Sequence, residues 1–207
     1  MFTVSEDERH SLEAAWLAFM IPQEAGMHRV ASWWREIFRR YSEPHRHYRN
    51  LSHIRDLLGL VSGEAAIAAA WFHDFVYEPG RSGCGDASAR IAATALRELG
   101  FRILTIDVVV QLIRAASTQE PNGLPSQALH FLDADLSILG SARERYAAYR
   151  AAVRREFAFL SDDEFAAERR REAERFLARP RIYHTNTMRD RFERQARQNL
   201  QWELELS

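Results

Sequence analysis

Residues 64–77 read EAAIAAAWFHDFVY, apolar at nearly every position. The pattern predicts a helix from Glu64 to about Tyr77, and a helix that is apolar all round belongs at the centre of a domain. His73 and Asp74 interrupt it. An ionised aspartate among Ala, Trp, Phe and Val costs several kcal/mol unless it is paired or meets a cation. Two solutions are open. A divalent ion takes imidazole nitrogen and carboxylate oxygen together. Alternatively, the pair is bonded to neighbouring backbone and an arginine.

The rest of the chain builds around that helix. Nine glycines and six prolines in 207 residues fall mostly between periodic segments, which argues for helix almost throughout. Helices are expected after Ser5, from about Gln23 to Tyr41, from Leu51 to near Gly59, from about Asp86 to Leu99, over Thr105–Ser117 and over Ala128–Leu139. Three charged helical stretches follow Ser141, divided at Ser161 and near Pro180. Glu78–Gly85 and the PNGLP string at 121–125 are loops. No alternating strand pattern, repeat or linker breaks the series. The expected architecture is one all-α domain over 1–207, a bundle of about eight to ten helices. Its core spans about 45–140, with a helical extension over about 141–207. Trp16, Trp33, Trp34 and Trp71 lie at helical spacing and are expected in the core.

Composition removes several classes of function. Formal net charge is -1, so no general basic field attracts nucleic acid. No run of about 18 apolar residues is present, so no membrane helix is expected. The start, MFTVSEDERH, does not resemble a secretory signal. The single cysteine, Cys84, fits a reducing compartment or simple indifference to redox state, and a cytoplasmic location is expected. All 28 basic residues are arginine. Without lysine there is no Walker A loop and no Schiff-base chemistry.

Further polar residues stand in apolar helical text. His53 lies one helix upstream of His73, and the short connection at Ser62-Gly63 favours a hairpin that brings the two together. Downstream, FLDADLSILG sets Asp133 and Asp135 in another apolar run. Asp135 is the candidate ligand, and Asp133 a supporting or capping group. His53, His73, Asp74 and Asp135 make a mixed nitrogen and oxygen set, which suits a catalytic divalent ion better than a structural zinc. Arg46 and Arg49 are placed to hold a phosphate bidentately, or to pair with Glu43 or Asp56. His47 and Asn50 belong to the same segment and join them as candidate substrate contacts.

HRHYRNLSHI (45–54), AAWFHDFVYEPG (69–80), FLDADLSILG (131–140) and the ending RIYHTN…ARQNLQWEL together resemble a bacterial group of predicted metal-dependent HD phosphohydrolases. The resemblance runs from about Arg29 to Leu204. It implies an HD-domain-like bundle, with His53, His73, Asp74 and Asp135 as metal ligands. It also implies hydrolysis of a phosphate ester, such as a nucleotide, by metal-activated water. The catalytic candidates are Asp74 and, to stabilise charge on phosphate oxygens, Arg49; Arg46, His47 and Asn50 are the candidate substrate contacts. The ion is one of Mn, Fe, Mg, Co or Zn, and the partner is a small phosphorylated molecule.

The chain departs from the group at polar positions. Arg49 stands where the group carries histidine, and arginine does not release a proton near neutral pH. Gly83, Cys84 and Gly85 replace an acidic stretch. Gln119 and Gln127 replace a histidine and an acidic residue. These changes imply one metal rather than two. They also define the alternative, a degenerate HD protein that binds a ligand or partner without catalysis. A diiron oxygenase would need further histidines, and Gln119 argues against it.

Overall fold

The computed structural model describes residues 2, 4–23, 25–121, 123–124 and 128–206. They are helical, with no strand among the described residues, as the sequence pattern predicts. No helix among them is long and apolar enough to cross a membrane. The chain forms two compact units, Phe2–Leu124 and Pro125–Ser207.

The first unit holds α1 (Glu6–Met20), α2 (Met27–Tyr41), α3 (Leu51–Leu58), α4 (Glu64–Phe72), α5 (Cys84–Glu98) and α6 (Ile103–Thr118). Ser5 starts α1 with a reciprocal capping box: its hydroxyl accepts from the Glu8 amide while the Glu8 carboxylate accepts from the Ser5 amide. Ala68 to Phe72 of α4 are fully buried, as expected of its composition. Trp16 and Trp34 set their ring edges against Trp71, and the Trp16 indole N–H donates to the Val30 carbonyl at 2.9 Å. Trp33, half-buried, meets Phe72 and Phe75. Trp16, Trp34 and Trp71 are therefore core residues, and Trp33 lies at the edge of the core. Helices α5 and α6 pack against each other, and Ala89, Ala92, Ala95 and Ala116 on them are buried. At Gly85 a Cβ would fall 2.3 Å from the Ser117 side chain.

The fourth helix is shorter than its sequence predicts. It ends at Phe72, and His73 is its C-cap, with its N–H on the Ala69 carbonyl at 2.8 Å. The backbone beyond is held by side chains from elsewhere. Arg46 donates to the Asp74 and Phe75 carbonyls, Tyr41 Oη accepts from the Asp74 amide, and Ser88 Oγ both accepts from the Val76 amide and donates to its carbonyl. These partners satisfy the polar groups that a continuing helix would have paired internally. At the next element the difference is smaller: α5 starts at Cys84, two residues earlier than expected.

The second unit contains α7 (Leu129–Asp135), a 3-10 turn (Leu136–Gly140), α8 (Arg143–Glu156), α9 (Asp162–Leu177), α10 (Asn186–Met188), a π turn (Arg189–Glu193) and α11 (Arg194–Glu205). Counting α10, the π turn and α11 as one rod, the described residues form ten helices. Gly140 is required where it stands, because a Cβ there would lie 2.5 Å from Phe192. Glu203, fully buried, accepts from Arg169 at 2.7 and 2.8 Å, from Arg150 at 3.1 Å and from the Tyr146 hydroxyl.

Candidate metal centre

Within the first unit, α3 and the end of α4 bring three donor groups together. His53 and His73 are 2% and 4% exposed, and their Nε2 atoms face each other at 3.0 Å. Asp74 Oδ2 lies 3.1 Å from His73 Nε2 and 3.9 Å from His53 Nε2. The hairpin inferred from the Ser62-Gly63 connection thus delivers His53 to the His-Asp pair.

The orientation of His73 follows from its other nitrogen. Nδ1 lies 3.2 Å from the Ala70 carbonyl, which accepts and cannot donate. Nε2 lies 3.1 Å from Asp74 Oδ2, which likewise only accepts, so each ring nitrogen of His73 faces an oxygen acceptor and the two fix the plane of the ring. His53 is placed by α3, whose start is fixed by Asn50. The Asn50 Oδ1 accepts from the Ser52 amide and hydroxyl, while its Nδ2 donates to the carbonyls of Phe2 and His47. The Tyr48 ring lies 5.0 Å from the His53 ring.

Asp74 is half-buried and ionised. Burial alone would raise its pKa, but the Arg49 charge, then His73 and His53, outweigh that and hold it well below the usual carboxylate range. The Arg49 guanidinium Nη1 donates to Asp74 Oδ2 at 2.6 Å and lies over the Tyr77 ring at 5.3 Å. Arginine and backbone are thus partners of the His-Asp pair, as the purely structural alternative requires. The facing Nε2 atoms are an additional feature. A hydrogen bond from one ring to the other satisfies them, and so does a cation between them.

His53 Nε2, His73 Nε2 and Asp74 Oδ2 stand 3.0, 3.1 and 3.9 Å from one another, and imidazole nitrogen with carboxylate oxygen is a donor set that first-row divalent ions accept.

The candidate substrate residues divide into two kinds. Arg46 is buried and its donors are engaged: Nε on Glu43, Nη1 on the Asp74 and Arg49 carbonyls, Nη2 on the Phe75 carbonyl. It therefore pairs with Glu43, one of the two outcomes open from sequence, and clamps the Asp74 turn. Arg49 pairs with Asp74 rather than Glu43 or Asp56. Asn50 and Arg46 line a surface groove of about 420 Å³ with Phe2, Tyr41 and Glu43, but the amide of Asn50 is engaged as the α3 cap. His47 is half-buried and contributes its carbonyl to Asn50. His45, beside it, sets Nε2 3.0 Å from the Tyr77 carbonyl.

The altered positions have local roles. Gly85 gives α5 room against Ser117, so an acidic side chain does not fit there without movement of α6. Gln119 ends α6 with φ of 56° and donates Nε2 to the Ala116 carbonyl. Gln127 lies outside the described residues.

In the second unit Asp135 is the last residue of α7 and is half-buried. Asp133 is fully buried and is the capping group: it accepts from the His184 amide, the Thr185 amide and the Thr185 hydroxyl, each at 2.7 Å. Tyr183 donates to the Leu136 carbonyl at 3.0 Å. The RIYHTN string is thus the partner of the FLDADL string.

Sequence reasoning did not find Tyr41 and Ser88, which hold the turn around Asp74, or Tyr77, which underlies Arg49. Their signal is spatial: Tyr41 and Ser88 reach the turn from 33 and 12 residues away.

Comparison with protein-family models, curated proteins and solved structures gives no match to this chain.

Proposed function

We propose that the chain is a metal-dependent phosphohydrolase of the HD type, acting on a small phosphate ester such as a nucleotide. The observation that carries this is the facing of His53 Nε2 and His73 Nε2 at 3.0 Å beside Asp74 Oδ2, with the His73 ring held by the Ala70 carbonyl at Nδ1. His53, His73 and Asp74 are the ligands from the first unit. The family resemblance adds Asp135 as the fourth ligand in this proposal. One divalent ion, of Mn, Fe, Mg, Co or Zn, is expected. When bound, it supplies Lewis acidity toward a phosphoryl oxygen and an acidified water.

The chain's own residues then do the following. The Ala70 carbonyl, on Nδ1, orients the His73 ring so that Nε2 faces the centre. Asn50 holds α3, and with it His53, in register. Arg46 fixes the turn that carries Asp74. Arg49 is the group that contacts substrate phosphate oxygens and stabilises the charge that develops there. The single cysteine and the absence of a general basic field favour a small cytoplasmic substrate over nucleic acid.

Elemental analysis of protein purified without a histidine tag or chelator tests the centre. About one ion per chain is expected, lost in His53→Ala and reduced at least about tenfold in affinity in Asp135→Ala. Turnover across a phosphoester panel with added Mn, Fe, Co or Mg then tests catalysis. Metal content and turnover that survive both substitutions would remove the assignment.

A second reading, a binding protein without catalysis, is favoured by one observation. The Arg49 guanidinium lies on Asp74 itself, and arginine is not a proton donor at neutral pH. It predicts stoichiometric metal with no turnover on any phosphoester. Gain of hydrolysis in Arg49→His would identify the missing acid.

A further inference from the structure

We infer that Arg49 couples loading of the metal centre to an oxyanion ligand: phosphate draws the guanidinium off Asp74 and frees that carboxylate for the cation. This rests on the metal-centre proposal above and adds how the centre is filled.

Asp74 Oδ2 accepts from Arg49 Nη1 at 2.6 Å and is the same oxygen that lies 3.1 Å from His73 Nε2. A divalent ion beside the imidazole nitrogens would share this oxygen with the guanidinium. Two positive charges at one oxygen repel, so each weakens the other's hold. A phosphate oxyanion offers the guanidinium a second partner, with more charge and a bidentate fit. Once Arg49 turns to the anion, the repulsion falls and the carboxylate serves the metal alone.

The two arginines of this segment differ in what they can do. Arg46 has no exposed side-chain surface and is fixed by three carbonyls and Glu43. Arg49 is 36% exposed in its side chain and lies over the Tyr77 ring at 5.3 Å. A planar cation on a ring face can shift sideways and keep its contact. Arg49 is therefore the group that can exchange partners, while Arg46 holds the turn beneath it. Linkage makes the coupling reciprocal: the factor by which phosphate tightens metal is the factor by which metal tightens phosphate.

The test is Mn²⁺ binding to the full chain, read from the electron paramagnetic resonance of free Mn²⁺, with and without inorganic phosphate. In the wild type, phosphate tightens Mn²⁺ about fivefold or more. Arg49→Gln binds Mn²⁺ more tightly than wild type without phosphate and loses most of the phosphate effect. Arg49→Lys, which keeps the charge but not the fork, retains an intermediate effect. If Arg49→Gln keeps the full enhancement, phosphate acts as a metal ligand and the coupling through Arg49 is overturned. Mn²⁺ binding that is lost in His53→Ala but indifferent to phosphate overturns this inference and leaves the metal centre standing. No Mn²⁺ binding in wild type or Arg49→Gln overturns both.

Discussion

Asn50 uses both ends of its amide, the oxygen on the first turn of α3 and the nitrogen on the Phe2 and His47 carbonyls. Asn50→Ala is expected to cost about 1–2 kcal/mol, the usual range for a lost N-cap. In a chain of this size each kcal/mol lowers the melting temperature by roughly 2–4 °C, measurable by circular dichroism. Asn50→Asp keeps the cap acceptor and loses the amide donors, so it should fall between. Equal melting of Asn50→Ala and wild type would show that the cap does not hold α3. Asp133 has larger consequences. Asp133→Ala strands two amides and a hydroxyl in a buried setting, for about 3 kcal/mol or more in urea unfolding. At this scale the sequence was readable where burial and charge conflict. His53, His73, Asp74 and Asp133 all announce themselves as polar residues in apolar text. Arg46 and Asn50 did not show which partners they take, because those partners are backbone carbonyls that any sequence supplies.

Helix ends were less legible than helix faces. The alanine run of α4 marks its core face plainly, yet its end at Phe72 depends on Arg46, Tyr41 and Ser88, which lie outside any local window. The charged stretches after Ser141 were easier, since Ser161 with Glu164 is a capping box visible in the text. The α5–α6 contact shows a third case. Gly85 reads as a lost acidic residue when compared with a family pattern, whereas in the fold it is the point where α5 meets Ser117. Gly85→Ala is expected to destabilise by about 1–3 kcal/mol through overpacking, because the new Cβ would lie 2.3 Å from the Ser117 side chain. Ser117→Gly in the same chain should recover most of that loss, since it removes the atoms being struck. Chemical denaturation of the two single variants and the double variant measures the coupling. Additive losses would mean that the strain lies elsewhere.

Each unit carries a carboxylate held by arginine away from bulk water, half-buried Asp74 with Arg49 in the first and fully buried Glu203 with Arg169 in the second. This ties the stability of the molecule to pH. Burial pulls the Glu203 carboxyl upward, but hydrogen bonds and charge from Arg169, with help from Tyr146 and Arg150, hold it below its ordinary value of 4.5. A carboxyl whose pKa is depressed on folding contributes stability above its unfolded pKa, and loses it as pH falls through the folded value. The native protein should therefore hold its stability from pH 7 to about 5 and weaken below about 4.5. Glu203→Gln separates this group from the others. At pH 7 it removes the buried anion that Arg169, Arg150 and Tyr146 share and leaves Arg169 with Glu172 alone, at a cost of up to about 3 kcal/mol. A protonated glutamate resembles glutamine in charge, so the gap between wild type and variant should narrow as the wild type takes up its proton. Urea unfolding of both proteins at pH 7, 5, 4 and 3 measures the gap directly. A gap that stays constant across that range would mean that Glu203 keeps the same protonation in the folded and unfolded chains, and that the acid sensitivity of the molecule lies with other carboxylates.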